Sequence, residues 1–224
     1  MPEPRALEYA ALAVAQEIAR LRPPRAPRSN AELLEAFTGC VLSSRVRHPV
    51  AVASVERLKT AGLFASPAHF LAGGERVVCS VLAQQPLAHP RPRQMAHWLT
   101  GGLRSLLCGS VSIRARLRAA ADPRETRSWL TRECLGLGPK QASLFLRKAG
   151  VAEDLAVLDG HVIRFMQVLG LVSGQKMPSR LPEYERIEDC FARYACSLGT
   201  SVARLDAAIW IVMRVTRGRH SWRS

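Results

Sequence analysis

Cys134-Leu-Gly-Leu-Gly-Pro-Lys-Gln-Ala-Ser-Leu-Phe-Leu-Arg147 is the stretch on which the fold turns. Gly136 and Gly138, separated by one apolar residue, suit a tight hairpin whose backbone can come close to another molecule. Pro139 belongs at the first position of a helix. Ala142, Phe145, Leu146 and Ala149 then fall at i, i+3, i+4 and i+7 on one apolar face, with Gly150 as the C-terminal cap. Upstream, Asp122-Pro123-Arg124-Glu125 places an N-cap Asp, a first-position Pro and an early Glu ahead of a helix expected to reach Cys134. Two helices joined by a glycine hairpin make a helix-hairpin-helix unit.

Helical signals continue on both sides of this unit. Downstream, a linker over 151–158 leads to Asp159, which can cap a helix over 160–169 closed by Gly170, and further helices are expected over 182–198 and 206–215. Upstream, an Ala-rich amphipathic stretch over 5–21 stops at Pro23 and Pro24. Ser29-Asn30-Ala31-Glu32 is a capping box opening the apolar run Leu33, Leu34, Phe37, Cys40 and Val41. Residues 50–59 read as a helix ending before Gly62, 82–92 as a Pro-rich loop, and 93–107 as helix again. No strand-like alternation appears, so the expected fold is all-α with about nine or ten helices. A chain of 224 residues can bury one good core, as one domain or two tightly packed subdomains.

Charge narrows the partner. The net charge is +14 and the isoelectric point about 10.7, which points to a polyanion. Nucleic acid comes first, because Arg and Lys neutralising phosphates supply sequence-independent affinity. Charge alone is also compatible with a soluble basic protein of another kind. Only four of the 32 Lys and Arg residues are lysines: Lys59, Lys140, Lys148 and Lys176. Arg stays charged, whereas Lys can lose its proton and act as a nucleophile, so each lysine invites inspection. No run approaches the apolar length of a membrane span, and the N-terminus does not read as a signal peptide. A cytoplasmic, nucleoid-associated protein follows. Cys40, Cys79, Cys108, Cys134, Cys190 and Cys196 lack CxxC spacing and read as small buried apolar residues, so neither metal nor cofactor is expected.

The hairpin and its flanks also carry candidate chemistry. Gly136 and Gly138 hold no side chain that would keep a phosphate away, and the helix after them presents unpaired N–H groups and its positive end. Lys140 lies in that first turn, where the dipole works against an ammonium and toward an amine able to attack a sugar carbon. It reads equally as one more phosphate contact beside Arg147 and Lys148. Asp159 can stabilise a developing cationic sugar or assist proton transfer, and it reads equally as a helix N-cap. His161 can face phosphate or pack.

The run Cys134–Arg147 with Ala156-Val-Leu-Asp-Gly-His161 resembles the 8-oxoguanine DNA glycosylase/lyases of the shorter prokaryotic branch, in the superfamily that includes endonuclease III. There the pattern is close to Gly-Ile-Gly-Tyr-Lys-Glu-Ala-Ser-His-Phe-Leu-Arg followed by Ile-Leu-Asp-Arg-His. Weaker similarity lies at Val41-Leu-Ser-Ser-Arg-Val-Arg47, at Arg91-Pro-Arg-Gln-Met-Ala96 and at Leu205-Asp-Ala-Ala-Ile-Trp210. The resemblance implies a helix-hairpin-helix glycosylase fold of two helical subdomains, 29–152 and 1–28 with 153–224, with the lesion site in the cleft between them. It implies Lys140 as nucleophile, Asp159 as its helper, and no metal or iron–sulfur cluster. Gly160 stands where the family has Arg. The segment 213–224 extends past the Thr-Gly and terminal Lys with which family members usually end near the lesion.

The expected activity is removal of an oxidised purine, 8-oxoguanine foremost, through a Lys140 Schiff base followed by strand nicking. The expected partner is double-stranded DNA bearing the damaged base, met by a monomer. Gly136, Gly138, Gln141, His161, Arg45, Arg47 and Arg147 are the candidate DNA contacts, and Trp210 or Trp222 the candidate stacking partners of the extruded base. Two rivals stay open: a glycosylase of this fold for another base, and a DNA-binding protein of this fold without activity.

Overall fold

Residues 3–21, 26–27, 29–44, 46–107, 112–119, 121–174 and 176–218 are described by the structure, a computed structural model. Among them the elements are all helices: α1 (Pro4–Arg20), α2 (Asn30–Leu42), α3 (His48–Thr60), α4 (Pro67–Leu82), α5 (Pro92–Leu107), α6 (Ile113–Leu117), α7 (Pro123–Glu133), α8 (Pro139–Lys148), α9 (Gly160–Val168), α10 (Leu181–Ser197) and α11 (Val202–Gly218). The local start signals behave as their chemistry requires. Ser29 Oγ accepts from Glu32 N–H at 3.1 Å while the Ser29 N–H donates to Glu32 Oε2 at 3.3 Å, closing the capping box. Asp122 Oδ1 accepts from the Arg124 N–H at 2.8 Å and starts α7.

Three elements depart from the sequence reading. No helix is expected between Gly62 and Leu82, yet α4 fills most of that interval, started by Ser66 Oγ accepting from the His69 N–H at 3.0 Å. Gly73-Gly74 hides it: the helix kinks at Gly74, whose φ of 66° is left-handed, so the apolar period breaks mid-element. The short α6 is likewise outside the expected helices; Ser112 Oγ caps it by accepting from the Ala115 N–H. The last helix begins a turn before the expected 206, at Val202, because Ser201 Oγ accepts from the Arg204 N–H at 3.3 Å.

The chain divides into two compact units, Ala26–Ala152 and Met1–Arg25 with Glu153–Ser224. The first holds α2 to α8. There α2 packs on α3, α5 and α8, and Phe37 meets Phe145 edge-to-face with centroids 5.7 Å apart. Both rings are fully buried, as are Leu99, Leu103 and Leu146 of the same unit. Each such side chain stabilises the fold by about 2 kcal/mol through area removed from water.

In the second unit α11 packs on α1, α9 and α10. Its core is built on Phe165, Met166, Ile187, Phe191 and Ile209. Tyr194 Oη donates to Glu8 Oε2 at 3.0 Å, tying α10 to α1; burial first and the Glu8 bond second push its phenol well above the ordinary range.

The cysteines are only partly the buried apolar residues expected. Cys40 and Cys134 are buried, but Cys79 and Cys190 are half-buried and Cys196 is exposed. On α10 the stripe Tyr184, Ile187, Phe191, Ala195 faces the core, which leaves Cys196 on the solvent side. Cys108 lies outside the described residues. No single helix among those residues is long and apolar enough to cross a membrane, and no group of three or more His, Cys, Asp or Glu among them could hold a metal ion.

Candidate active site and nucleic-acid interface

The hairpin Cys134–Gly138 connects α7 to α8, and its glycines serve different ends. Gly136 has φ +85°, and a Cβ there would stand 2.9 Å from Val41 Cγ1 and 3.1 Å from Trp98 Cβ. Both handedness and space exclude a side chain. Gly138 is different: its φ is −75°, and a Cβ would find only Gln141 Oε1 at 3.9 Å. Nothing inside the unit demands glycine at that position, so its value lies in leaving the outer face of the turn bare.

The hairpin rests on α5 through a second glycine pair that the sequence reading did not single out. A Cβ on Gly102 would come within 2.6 Å of the Leu135 carbonyl oxygen, and one on Gly101 within 2.8 Å of Leu135 Cδ1. Gly101 and Gly102 therefore let the loop settle onto a helix surface. The two helices of the motif are joined by a buried polar contact: Arg127 Nη1 of α7 donates to Ser143 Oγ of α8 at 3.3 Å, with both residues fully buried.

At the start of α8, Gly138 offers no side-chain cap and Pro139 has no N–H. The N–H groups of Lys140 and Gln141 donate to no group among the described residues. Two N–H donors without a described acceptor, a positive helix end and a bare Gly138 are the features by which a helix start can receive an anion such as phosphate. Lys140 and Gln141 are half-buried, and so is Arg147 further along α8. The Cys40 thiol on α2 lies in the same neighbourhood. Burial pushes it up to about 11, with the Lys148 and then the Lys140 ammonium pulling it back. Cys40 is thus a thiol at neutral pH and a poor nucleophile.

Gly136→Ala and Gly138→Ala are expected to separate stability from binding. The first should cost on the order of 2 kcal/mol through overpacking and backbone strain, read as a melting temperature lowered by several degrees. The second should leave the melting temperature close to that of the parent and weaken duplex binding. Equal destabilisation by both would refute the division of labour.

In the unit carrying α9, Asp159 is the N-cap. Its Oδ1 accepts from the His161 N–H at 2.8 Å and the Val162 N–H at 3.0 Å. Both bonds use one oxygen, and Oδ2 accepts from no described residue. The N-cap reading and the chemical one are therefore compatible within a single carboxyl group. The linker before it is held by residues that sequence reasoning missed: Glu188, Asp206 and Tyr184 bond the N–H groups of Ala156, Val157 and Leu158 respectively. A signal existed, since Glu188 falls on the apolar stripe of α10 between Ile187 and Phe191, where a carboxyl group needs a reason.

The remaining candidates are scattered. His161 is half-buried on α9, behind Asp159. Trp210 is half-buried on α11, with the Arg214 guanidinium 4.2 Å from its ring centroid. One ring face is thus occupied by a cation–π contact. Arg47 is exposed and is the N-cap residue of α3. Arg45 and Trp222 lie outside the described residues. Thus Arg47, Gly136, Gly138, Lys140, Gln141 and Arg147 belong to the unit Ala26–Ala152, and Asp159, His161 and Trp210 to the other.

Comparison with known proteins bears on what this arrangement serves. The family model described as Ogg-HhH, 8-oxoguanine DNA glycosylase, matches residues 14–200. The 8-oxoguanine DNA glycosylase/AP lyase of Thermotoga maritima is 38% identical over 95 residues, which are 42% of this chain and 44% of that protein. The match thus spans less than half the length of that relative. The protein of the same name from Korarchaeum cryptofilum is 25% identical over 193 residues, 86% of this chain and 85% of its own. Among solved structures, the Thermotoga maritima 8-oxoguanine DNA glycosylase superposes with a TM-score of 0.67 at 23% identity, covering 93% of this chain and 88% of that one. The Methanocaldococcus jannaschii 8-oxoguanine glycosylase/lyase, in complex with a 15mer DNA containing 8-oxoguanine, gives 0.70 at 17% identity, covering 98% and 92%. At these identities the structural likeness is one of fold.

Proposed function

Because the chain belongs to the helix-hairpin-helix 8-oxoguanine DNA glycosylase family, we propose that it excises 8-oxoguanine from duplex DNA and then nicks the strand as an AP lyase. The observation that carries this reading is Lys140 in the uncapped first turn of α8, directly behind a glycine hairpin and among N–H donors without a described acceptor. That turn grips a phosphate, and the gripped strand delivers a sugar to the amine beside it.

The chemistry runs in two steps. With the damaged nucleotide extruded from the stack, the Lys140 amine attacks C1′ as the C1′–N9 bond breaks, and the base departs with the proton that the attacking amine gives up. The sugar ring opens to an imine between Nζ and C1′. Loss of a C2′ proton then expels the 3′ phosphate by β-elimination, and water releases the lysine. Asp159, through the oxygen left over from capping, stabilises the cationic sugar as the base leaves and assists proton transfer. Gly136, Gly138, Gln141, Arg45, Arg47, Arg147 and His161 hold the backbone, and Trp210 or Trp222 stacks on the base. The protein works as a monomer on double-stranded DNA in the nucleoid.

Borohydride supplied during reaction with a duplex carrying 8-oxoguanine tests this directly. A covalent protein–DNA adduct is expected there, with none on the undamaged duplex. Excision of a different base across a panel of lesion duplexes would shift the substrate, and no turnover with tight binding would remove the enzyme reading. Duplex affinity should also fall steeply with salt, with a log–log slope of about −4 to −6 for the few phosphates such a footprint neutralises. Fluorescence anisotropy at several salt concentrations measures that slope, and a flat dependence would contradict a phosphate-gripping site.

A further inference from the structure

Asp159 is preceded by a segment whose backbone hydrogen bonds are made almost wholly by side chains. Glu188 Oε1 accepts from the Ala156 N–H at 2.9 Å, Asp206 Oδ2 from the Val157 N–H at 2.8 Å, and Tyr184 Oη from the Leu158 N–H at 3.1 Å. The Tyr184 hydroxyl also donates to the Ala156 carbonyl at 2.6 Å. The Asp159 N–H then closes on the Val157 carbonyl at 2.8 Å. Four consecutive N–H groups, from Ala156 to Asp159, are thus each assigned an acceptor.

Such a segment needs its donors satisfied, since Ala156 and Leu158 are fully buried. A helix or an ordinary turn would do so within the backbone. Here the acceptors are carried by α10 and α11, and Glu188 and Tyr184 are fully buried, Asp206 nearly so. Burying two carboxyl groups in an apolar core is an expensive way to order the linker over 151–158, and replacing such groups by apolar ones often stabilises a protein. What the arrangement achieves is precision: three rigid anchors act on the residues immediately before the cap.

We propose that Tyr184, Glu188 and Asp206 are positioning residues for Asp159, fixing through the backbone of 156–158 where its uncapped carboxyl oxygen stands. The proposal rests on the reading of Asp159 as the carboxylate that stabilises the cationic sugar. It places part of the determinants of excision among buried side chains of α10 and α11.

A double-mutant cycle tests it. Tyr184→Phe keeps the core ring and removes both bonds of the hydroxyl. The single-turnover excision rate on 8-oxoguanine duplex should fall about tenfold, while the dissociation constant for an uncleavable analogue duplex changes less than about twofold. In an Asp159→Asn background the same substitution should change the rate by less than about twofold, because a residue that acts through Asp159 has nothing left to position. An unchanged rate for Tyr184→Phe, or a tenfold loss that persists without the Asp159 carboxylate, overturns the proposal. If Asp159→Asn itself keeps full activity, the reading of Asp159 falls, and this inference with it. Should Tyr184→Phe not fold, Glu188→Leu and Glu188→Gln replace it in the cycle. Glutamine retains an acceptor for the Ala156 N–H and should recover most of the rate lost with leucine, and equal loss in both again overturns the assignment.

Discussion

Lys140→Gln is expected to abolish the borohydride-trapped adduct and to lower 8-oxoguanine excision by at least about a thousandfold, the usual scale for removal of a nucleophile. Duplex affinity should change only a few-fold. Glutamine is a good helix former of similar length, and the first turn of α8 would keep its N–H donors, because they belong to the backbone. The discriminating result is the split between binding and chemistry. If Lys140 were simply a phosphate contact, the substitution would weaken binding, flatten the salt dependence by about one unit of slope and leave the adduct in place. Lys140→Arg sharpens the comparison. Arg supplies the phosphate contact with an always-charged group that cannot attack a sugar carbon, so binding should be kept and trapping lost.

Asp159→Asn is expected to lower the excision rate by about 10²- to 10³-fold, the scale of a charge-stabilising group, while leaving the melting temperature nearly unchanged. The reason is the division of labour within its carboxyl group: Oδ1 makes both capping bonds, and Asn caps a helix about as well as Asp. Asp159→Ala removes the cap as well, which should cost about 1 kcal/mol and lower the melting temperature by about 2–4 °C. Its excision rate should be no better than that of Asn. If Asn retained wild-type excision while Ala lost stability, Asp159 would be an N-cap and nothing else.

The elements legible in the sequence are those whose signals are local. The capping box at Ser29–Glu32, the Asp122-Pro123 start of α7, Pro139 at the head of α8 and Asp159 before α9 act over one helical turn, and the structure places a helix start at each. The α4 helix was illegible because its own Gly73-Gly74 breaks the period that would have announced it. At the site, Lys140 drew notice by its position behind the hairpin. Glu188 and Asp206 drew none for chemistry, because a single carboxyl group in an apolar stripe has no local partner. The bonds that explain them span 32 and 49 residues of sequence.

By itself, then, the sequence determined an all-α chain of basic character with a glycine hairpin ahead of a lysine and an aspartate at the next helix start. Those properties follow from intrinsic propensity, capping and charge, which depend on neighbours a few residues away. Tertiary structure decided which glycine is obligatory and which is free. Gly136 is compelled in part by Val41 and Trp98, side chains brought from α2 and α5, whereas no neighbour constrains Gly138. It also decided how the segment before Asp159 is held, through hydrogen bonds from α10 and α11 to the N–H groups of 156–158 that exist only once those helices pack. Packing contacts of that kind are set by proximity in space, on which local propensity carries no information.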